Sequence, residues 1–352
     1  MKRLGVLTGG GDAPGLNAAI RAVVRASTLA GIEVLGIEDG FDGLTTPGRS
    51  RPLGLHHVTG ILRIGGTILG TINSGLAASE DSFEEYARVC QATFRSLQLD
   101  ALVVIGGDGT IAIAHRFQLR GLPVIAIPKT IDNDIVETAM TFGFDTAVAF
   151  ATEAIDRLHT TAESHHRTMV VELMGRYAGW LALHSGIGGG ADVVLIPEIP
   201  FRMDRVVERI HVREQHGARF SVVVAAEGAH PAGGRPIVAV GAAPGRAEKL
   251  GDIGAAVSQE LEALTGKASR YVVLGHLQRG GMPTSYDRTL ATRFGAFAVE
   301  LAQREEFGVM VALKSPHLTA VPLDRIVGRT KTIPPDADLL RAARGIGICL
   351  GE

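Results

Sequence analysis

The chain has 352 residues, 46% of them hydrophobic and 20% charged, a globular composition that excludes disorder, collagen and coiled coil as the overall class. Lys and Arg number 35 against 37 Asp and Glu, a formal charge of −2, so no basic excess marks the chain as a binder of nucleic acid or of a membrane surface. At roughly 150 residues per domain the length points to about two domains, each long enough to bury a core.

Short runs rich in Val and Ile alternate with longer amphipathic segments, the rhythm of parallel strands joined by crossover helices. The first unit reads as a strand over 4–8, a glycine-rich turn over 9–15 and a helix over 16–30. In that helix Leu16, Ala19, Ile20, Val23 and Val24 share a face, Pro14 is tolerated in the first turn, and Gly31 supplies the stop. Further strands are predicted at 33–37, 101–105, 124–127, 168–173, 192–197, 220–225, 271–274 and 309–313. Helices are predicted at 145–161, 205–215, 254–264 and 288–304. The segment 228–251 carries Pro231, Gly233, Gly234, Pro236, Pro244 and Gly245 without a sustained period and reads as a surface excursion. The fold class is α/β and doubly wound.

The 45 glycines far exceed the usual ~7%, so many tight turns and close backbone approaches are expected. Cys90 and Cys349 are the only cysteines and have no His or Cys neighbours at ligand spacing, which argues against a disulfide scaffold or a zinc site and fits a reducing cytoplasm. No apolar run reaches about 18 residues, and neither secretion nor a membrane span is expected.

In open parallel sheets ligands gather outside the carboxyl ends of the strands, so the loops after strands are the places to search. The first, Gly9-Gly10-Gly11-Asp12-Ala13-Pro14-Gly15, can bring backbone N–H groups to an anion at a helix N-terminus, or serve only as a tight turn. Its spacing is neither that of the P-loop nor the dinucleotide fingerprint. The second, Gly106-Gly107-Asp108-Gly109-Thr110, opens another helix. A carboxylate between glycines there can hold Mg²⁺ while the backbone lies against nucleotide phosphates, or it can cap the helix. The third, Pro128-Lys129-Thr130-Ile131-Asp132-Asn133-Asp134, carries two carboxylates two residues apart. An extended segment puts both on one side, where one can act as base and the other can hold a neighbour or a metal's water; a solvated acidic turn is the alternative.

These three loops, in this order, resemble the phosphofructokinase family, and the resemblance extends over essentially the whole chain. Further matches are Ser164-His165-His166-Arg167, Met174-Gly175-Arg176-Tyr177-Ala178-Gly179, Glu227 at a strand end, and Gly275-His276-Leu277-Gln278-Arg279-Gly280-Gly281. The resemblance implies the phosphofructokinase fold of two doubly wound domains with mostly parallel sheets, residues 1–138 plus 278–328 for the nucleotide and 139–277 plus 329–352 for the sugar phosphate. It implies a cytoplasmic, glycolytic, Mg²⁺-dependent kinase that transfers the γ-phosphoryl group of ATP to the 1-hydroxyl of fructose 6-phosphate, giving fructose 1,6-bisphosphate. A homodimer or homotetramer with shared active sites is implied too, Arg167 and Arg270 reaching the sugar phosphate of a neighbouring subunit. No nucleic acid or membrane partner is expected.

By the same resemblance Asp132 is the general base, with Thr130 and Arg176 as the other catalytic residues. Asp108 is the metal-associated carboxylate, and Gly11, Gly107, Asp108, Gly109 and Thr110 contact the nucleotide. Thr130, Ile131, Asp132, Arg167, Met174, Gly175, Arg176, Glu227, Arg270, His276, Leu277, Gln278 and Arg279 surround the sugar phosphate. Planar guanidinium groups suit phosphate oxygens, and Arg176 beside the transferred group offsets transition-state charge.

Two positions depart from the ATP-using bacterial pattern. Lys129 replaces a Gly and is typical of pyrophosphate users, yet Gly109 stands where those usually have Asp. The combination looks like the mixed-substrate group, whose members with Gly here are expected to use ATP. Asn73 replaces an Arg that contacts ATP phosphates, a charge that Lys129 would restore. Arg21 and Arg25 match an effector-binding helix and Asp192 an acidic residue there, with a solvated helix face as the alternative. The runner-up is a pyrophosphate-dependent fructose 6-phosphate 1-phosphotransferase. Lipid and NAD kinases share only the Gly-Gly-Asp-Gly-Thr loop, and a catalytically dead regulatory subunit has no reason to keep Asp108, Asp132 and Arg176 together.

Overall fold

A computed structural model describes residues 1–45, 49–72, 83–240 and 249–352. In chain order it contains β1 (Arg3–Thr8), α1 (Leu16–Leu29), β2 (Glu33–Ile37), β3 (Ser50–Pro52), α2 (Phe83–Ser96), β4 (Ala101–Gly106), α3 (Asp108–Gln118), β5 (Val124–Thr130) and β6 (Phe142–Gly143). There follow α4 (Phe144–His165), β7 (Thr168–Leu173), α5 (Trp180–Gly188), β8 (Val193–Leu195), α6 (Met203–Gln215) and β9 (Ser221–Ala226). The last elements are β10 (Val238–Val240), β11 (Lys249–Leu250), α7 (Ile253–Thr265), β12 (Ser269–Val273), α8 (Ser285–Gln303), β13 (Val309–Lys314), β14 (His317–Pro322) and α9 (Asp338–Gly345).

Two sheets organise the chain. The larger has the order β14-β13-β5-β4-β1-β2-β3, with β6 beside β5. Its inner strands run parallel, and antiparallel β14 and β3 close its two edges. Strands β4 and β5 are buried along almost their whole length, which explains their unbroken apolar runs. Helices α1 and α8 cover one face, α2 and α3 the other. Gly295 lets α8 approach α1 so closely that a Cβ there would lie 2.7 Å from the Ala19 carbonyl oxygen. Buried at that contact are Leu16, Ile20, Val23, Leu290 and Phe294, each worth roughly 1.5–3 kcal/mol of transfer free energy. The smaller sheet, β12-β7-β9-β8, is parallel throughout and lies between α4, α5 and α9 on one face and α6 and α7 on the other.

The alternation read from the sequence is therefore right, and the differences have local causes. Helix α1 starts at Leu16 after Gly15 (φ +107), which leaves Pro14 in the preceding turn and not in the first helical turn. The strand expected over 192–197 shortens to Val193–Leu195, and the one over 271–274 moves back to Ser269–Val273. Helix α8 begins at Ser285 because the Thr284 side chain accepts the Asp287 N–H as its cap. Helix α5 was not foreseen: it is apolar almost throughout, so no polar face betrays its period. The 228–251 excursion includes the antiparallel pair β10–β11, while 241–248 lies outside the described residues, as does Asn73.

Candidate active site

The order of the large sheet reverses at β1 and β4, and a crevice outside the carboxyl ends of strands at such a reversal is where open α/β sheets bind ligands. The first loop is tied down at its start, the Gly9 N–H donating to the Ile105 carbonyl of β4 at 2.9 Å and the Gly10 N–H to that of Ile72 at 3.2 Å. Those two donors are thus already engaged by the protein, a correction to the picture of a wholly bare glycine loop. Thr110 is wedged beneath both loops: a Cβ on Gly9 would lie 2.7 Å from its Cγ2, and one on Gly106 2.4 Å from its Cβ. A cleft of about 500 Å³ opens above, lined by residues 9–12, 107–110 and 129–132, by Asp134, and by Arg279 from the turn after β12. Its lining also includes Phe41, Tyr86, Ile113 and Arg116 with Asp39, Asp42 and Ile72.

Asp132 follows the end of β5. Its N–H donates to Thr130 Oγ1 at 3.1 Å, and its Oδ1 is buried without a hydrogen-bond partner. The segment is not extended as expected, because Asn133 adopts a left-handed φ of +50°, yet Asp132 and Asp134 still line one cleft. Burial raises the Asp132 carboxyl, and the nearby charges of Asp134, Glu227 and Asp108 push it further up against the opposing pull of Arg279. Burial and Asp108 raise Asp134 likewise. Lys129 is buried and donates its Nζ to the Gly11 carbonyl. Burial and Arg279 lower its ammonium to about 8, while Asp12, Asp108 and Asp132 favour the charge.

Asp108 is the first residue of α3 and Gly107 occupies the N-cap, so the capping alternative for Asp108 does not hold. The lining carries six carboxylates, Asp12, Asp39, Asp42, Asp108, Asp132 and Asp134, against the three cations Arg116, Lys129 and Arg279. Among the described residues no three His, Cys, Asp or Glu side chains gather tightly enough to hold a metal alone. That donor set suits Mg²⁺, which takes one or two carboxylates and completes its shell with phosphate oxygens and water.

Of the residues singled out in the sequence, Gly11, Gly107, Asp108, Gly109, Thr110, Thr130, Ile131, Asp132 and Arg279 meet in this cleft. Glu227 adjoins it electrostatically, feeling Arg279 and Arg176, and burial raises its carboxyl. The Arg176 loop is braced by the Gly228 N–H, which donates to the Gly175 carbonyl at 3.1 Å, and glycine suits position 175 because its φ is +133 and a Cβ there would lie 2.9 Å from the Ala178 carbonyl oxygen. Arg176 lies 4.9 Å from the Tyr177 ring, and Met174 is half-buried. Gln278 is buried and donates to the Gly275 carbonyl at 3.1 Å, while His276 and Leu277 are exposed. Arg167 and Arg270 do not line the cleft of their own chain, and Arg270 bonds Glu262 and the Ser269 carbonyl on the edge strand β12. Asp192 is buried and paired with Arg213 at 2.6 Å, which gives it a structural use.

The phosphofructokinase family model matches residues 3–302. The chain belongs to the phosphofructokinase family. An ATP-dependent 6-phosphofructokinase of Chloroflexus aggregans is 52% identical over 356 residues, covering 100% of this chain and 98% of its own. A pyrophosphate–fructose 6-phosphate 1-phosphotransferase of Amycolatopsis methanolica is 49% identical over 336 residues, covering 95% and 97%. Among solved structures, Pichia pastoris phosphofructokinase superposes with a TM-score of 0.82 at 32% identity over 92% of this chain, which spans 35% of that longer one. Within this phosphofructokinase the sequence motifs did not point to Phe41, Tyr86, Ile113 or Arg116. Phe41 follows β2 and could have been found by the strand-end rule, whereas the other three project from helix faces and carry no motif.

Proposed function

We propose that the chain is an ATP-dependent 6-phosphofructokinase, a phosphotransferase that phosphorylates the 1-hydroxyl of fructose 6-phosphate in glycolysis. The relatives divide over the donor, and the observation that favours ATP is how far the cleft's lining extends past the phosphate-binding loops. Besides the Asp108 and Lys129 region, where phosphates fit, its lining takes in Phe41, Tyr86 and Ile113 among Asp39, Asp42 and Arg116, a mixed wall that pyrophosphate would leave uncovered and a nucleoside would meet. Purified protein with fructose 6-phosphate in a coupled assay is expected to turn over with ATP and negligibly with pyrophosphate. Preference for pyrophosphate would overturn the reading.

In this mechanism Asp132 takes the proton of the attacking sugar hydroxyl, with Thr130 and Ile131 shaping the approach. Arg176 and Arg279 offset charge on the transferred phosphoryl group. Gly11, Gly107, Gly109 and Thr110 let the backbone lie against the nucleotide. Asp108 would hold Mg²⁺, which supplies the charge neutralisation that a polyanion needs in so acidic a cleft. Met174, Gly175, Glu227, His276, Leu277 and Gln278 complete the sugar side. Residues 1–138 plus 278–328 form the nucleotide domain and 139–277 plus 329–352 the sugar-phosphate domain in this reading. A cytoplasmic location accompanies it, and no helix among the described residues is long and apolar enough to cross a membrane.

A base held above the usual carboxylate range must lose its proton before it works. The acid limb of kcat/KM for fructose 6-phosphate is therefore expected well above the ordinary Asp value of ~3.9. Asp134→Asn removes the strongest of the like charges acting on it and should move that limb down; a pH–rate profile in which it stays or rises would remove Asp134 as the cause.

The reading includes a homo-oligomer, a dimer or a tetramer, whose sites are completed by Arg167 and Arg270 of a second subunit. Supporting it, β12 is an edge strand whose Tyr271 and Val273 are 49% and 47% exposed, with Leu277 at 65% beside them and Arg270 facing outward. Such an apolar edge is normally covered. Mixing inactive Asp132→Asn with inactive Arg167→Ala protomers should restore part of the activity through hybrid sites; no rescue after verified subunit exchange would count against sharing.

A further inference from the structure

Residues 330–333 form a strap between the two parts of the site. On one side Thr330 bridges Ile135, and the Lys331 N–H donates to the Asp134 carbonyl at 2.7 Å. The Lys331 ammonium reaches back under the same loop, donating to Asn133 Oδ1 at 2.9 Å and to the carbonyls of Thr138 and Ala139 at 3.0 and 3.2 Å. Asn133, buried and left-handed, also accepts the Thr141 N–H at 3.1 Å. All three donors of one ammonium are thus fixed on the loop that presents Asp132. On the other side the strap grips the segment after Arg176. Trp180 Nε1 donates to the Lys331 carbonyl at 2.8 Å, and Lys331 Nζ stands 5.7 Å from the Trp180 ring. Glu198 joins the Ile333 N–H at 2.9 Å to the Gly179 N–H, 3.0 Å from each of its oxygens.

We propose that Lys331 is a positioning residue for phosphoryl transfer, and that the strap it anchors fixes the Asp132 loop relative to the Arg176 loop. Lys331 does not line the cleft, so it acts through Asn133 and the 134–139 backbone and not on substrate. Charge-assisted bonds to three oxygens at once resist the tilting of a loop that a left-handed Asn otherwise strains. Misplacing a base by about 1 Å is enough to cost roughly 10²-fold in rate.

The inference rests on the phosphofructokinase reading, and wild-type activity with ATP, measured first, tests that reading by itself. With the wild type active, folded Lys331→Met is expected to lose roughly 10- to 100-fold in kcat while both KM values stay within about threefold, because the change touches loop geometry and no substrate contact. Lys331→Arg, which keeps charge and donors, should recover most of the loss. Trp180 is the chain's single tryptophan, so its emission reports on the strap and should shift in Lys331→Met but not in Asp132→Asn. Glu198→Gln, which weakens the strap's other anchor, should lower kcat with the same unchanged KM, and it decides the matter if Lys331→Met does not fold. A kcat within twofold of wild type in folded Lys331→Met or in Glu198→Gln, or a loss confined to KM, would overturn the proposal.

Discussion

Asp132→Asn is expected to lower kcat by roughly 10²–10⁴ while leaving most of the fructose 6-phosphate affinity, the usual signature of removing a positioned base. Asn has nearly the same shape as Asp, and the N–H of residue 132 can still donate to Thr130 Oγ1, so the turn after β5 has no reason to move. What is lost is a carboxylate able to take up a proton, one whose Oδ1 the protein leaves buried and without a partner of its own. That atom is costly to the fold and available to a hydroxyl proton. The stability consequence runs the other way from the activity. A carboxyl whose folded pKa lies above its unfolded value contributes stability that is fully present at low pH and is lost as pH rises through the folded value, so near neutrality much of that contribution is already gone. Asp132→Asn should therefore melt no lower than wild type at neutral pH. Thermal denaturation with steady-state kinetics on one preparation checks both halves, and near wild-type kcat would end the assignment of Asp132 as base.

The α/β alternation was legible because the inner strands of both sheets are buried on two faces. Runs such as 101–105 and 124–127 are then continuously apolar, and a short buried parallel strand fits them between helices. The three loops were legible for a related reason: glycine is used where backbone must approach backbone, as at Gly9 and Gly106 against Thr110, and carboxylates among glycines stand out. Elements that lack such contrast were harder to see. Helix α5 is apolar almost throughout, and β14 is a half-exposed edge strand whose pairing with β13 depends on a tight turn. Helix α2 does bury Phe83, Tyr86, Ala87, Cys90 and Phe94 at helical spacing, a pattern the sequence offers that identifies neither its partner nor the role of Tyr86 at the cleft. Lys331 illustrates what no local pattern can reveal. Its partners lie nearly 200 positions earlier, and only the folded chain brings them together.

Gly109→Asp is expected to reduce kcat/KM for ATP by at least ~100-fold, about 2.7 kcal/mol at 1.36 kcal/mol per decade. Lys129 and Gly109 point to opposite donors, and their surroundings explain why Gly109 prevails. The Lys129 ammonium is turned toward Gly11 and stands among Asp12, Asp108 and Asp132, so on the proposed reading it would add positive charge beside the donor phosphates without obstructing a nucleotide. Position 109 is different, because a Cβ there meets nothing within 4 Å and the residue lines the cleft. An Asp side chain would therefore enter the space a nucleotide needs and set its charge against the donor's own at close range. Folding gives no competing explanation. Gly109 has no left-handed φ to lose, and an acid in the first turn of α3 favours the helix dipole. The variant should melt at or above the wild-type temperature while failing with ATP; new activity with pyrophosphate is not required, since that donor needs a fitted pocket too. An unchanged kcat/KM for ATP in folded Gly109→Asp would mean that the nucleotide does not pass residue 109, and the orientation of the donor in the cleft would have to be reversed.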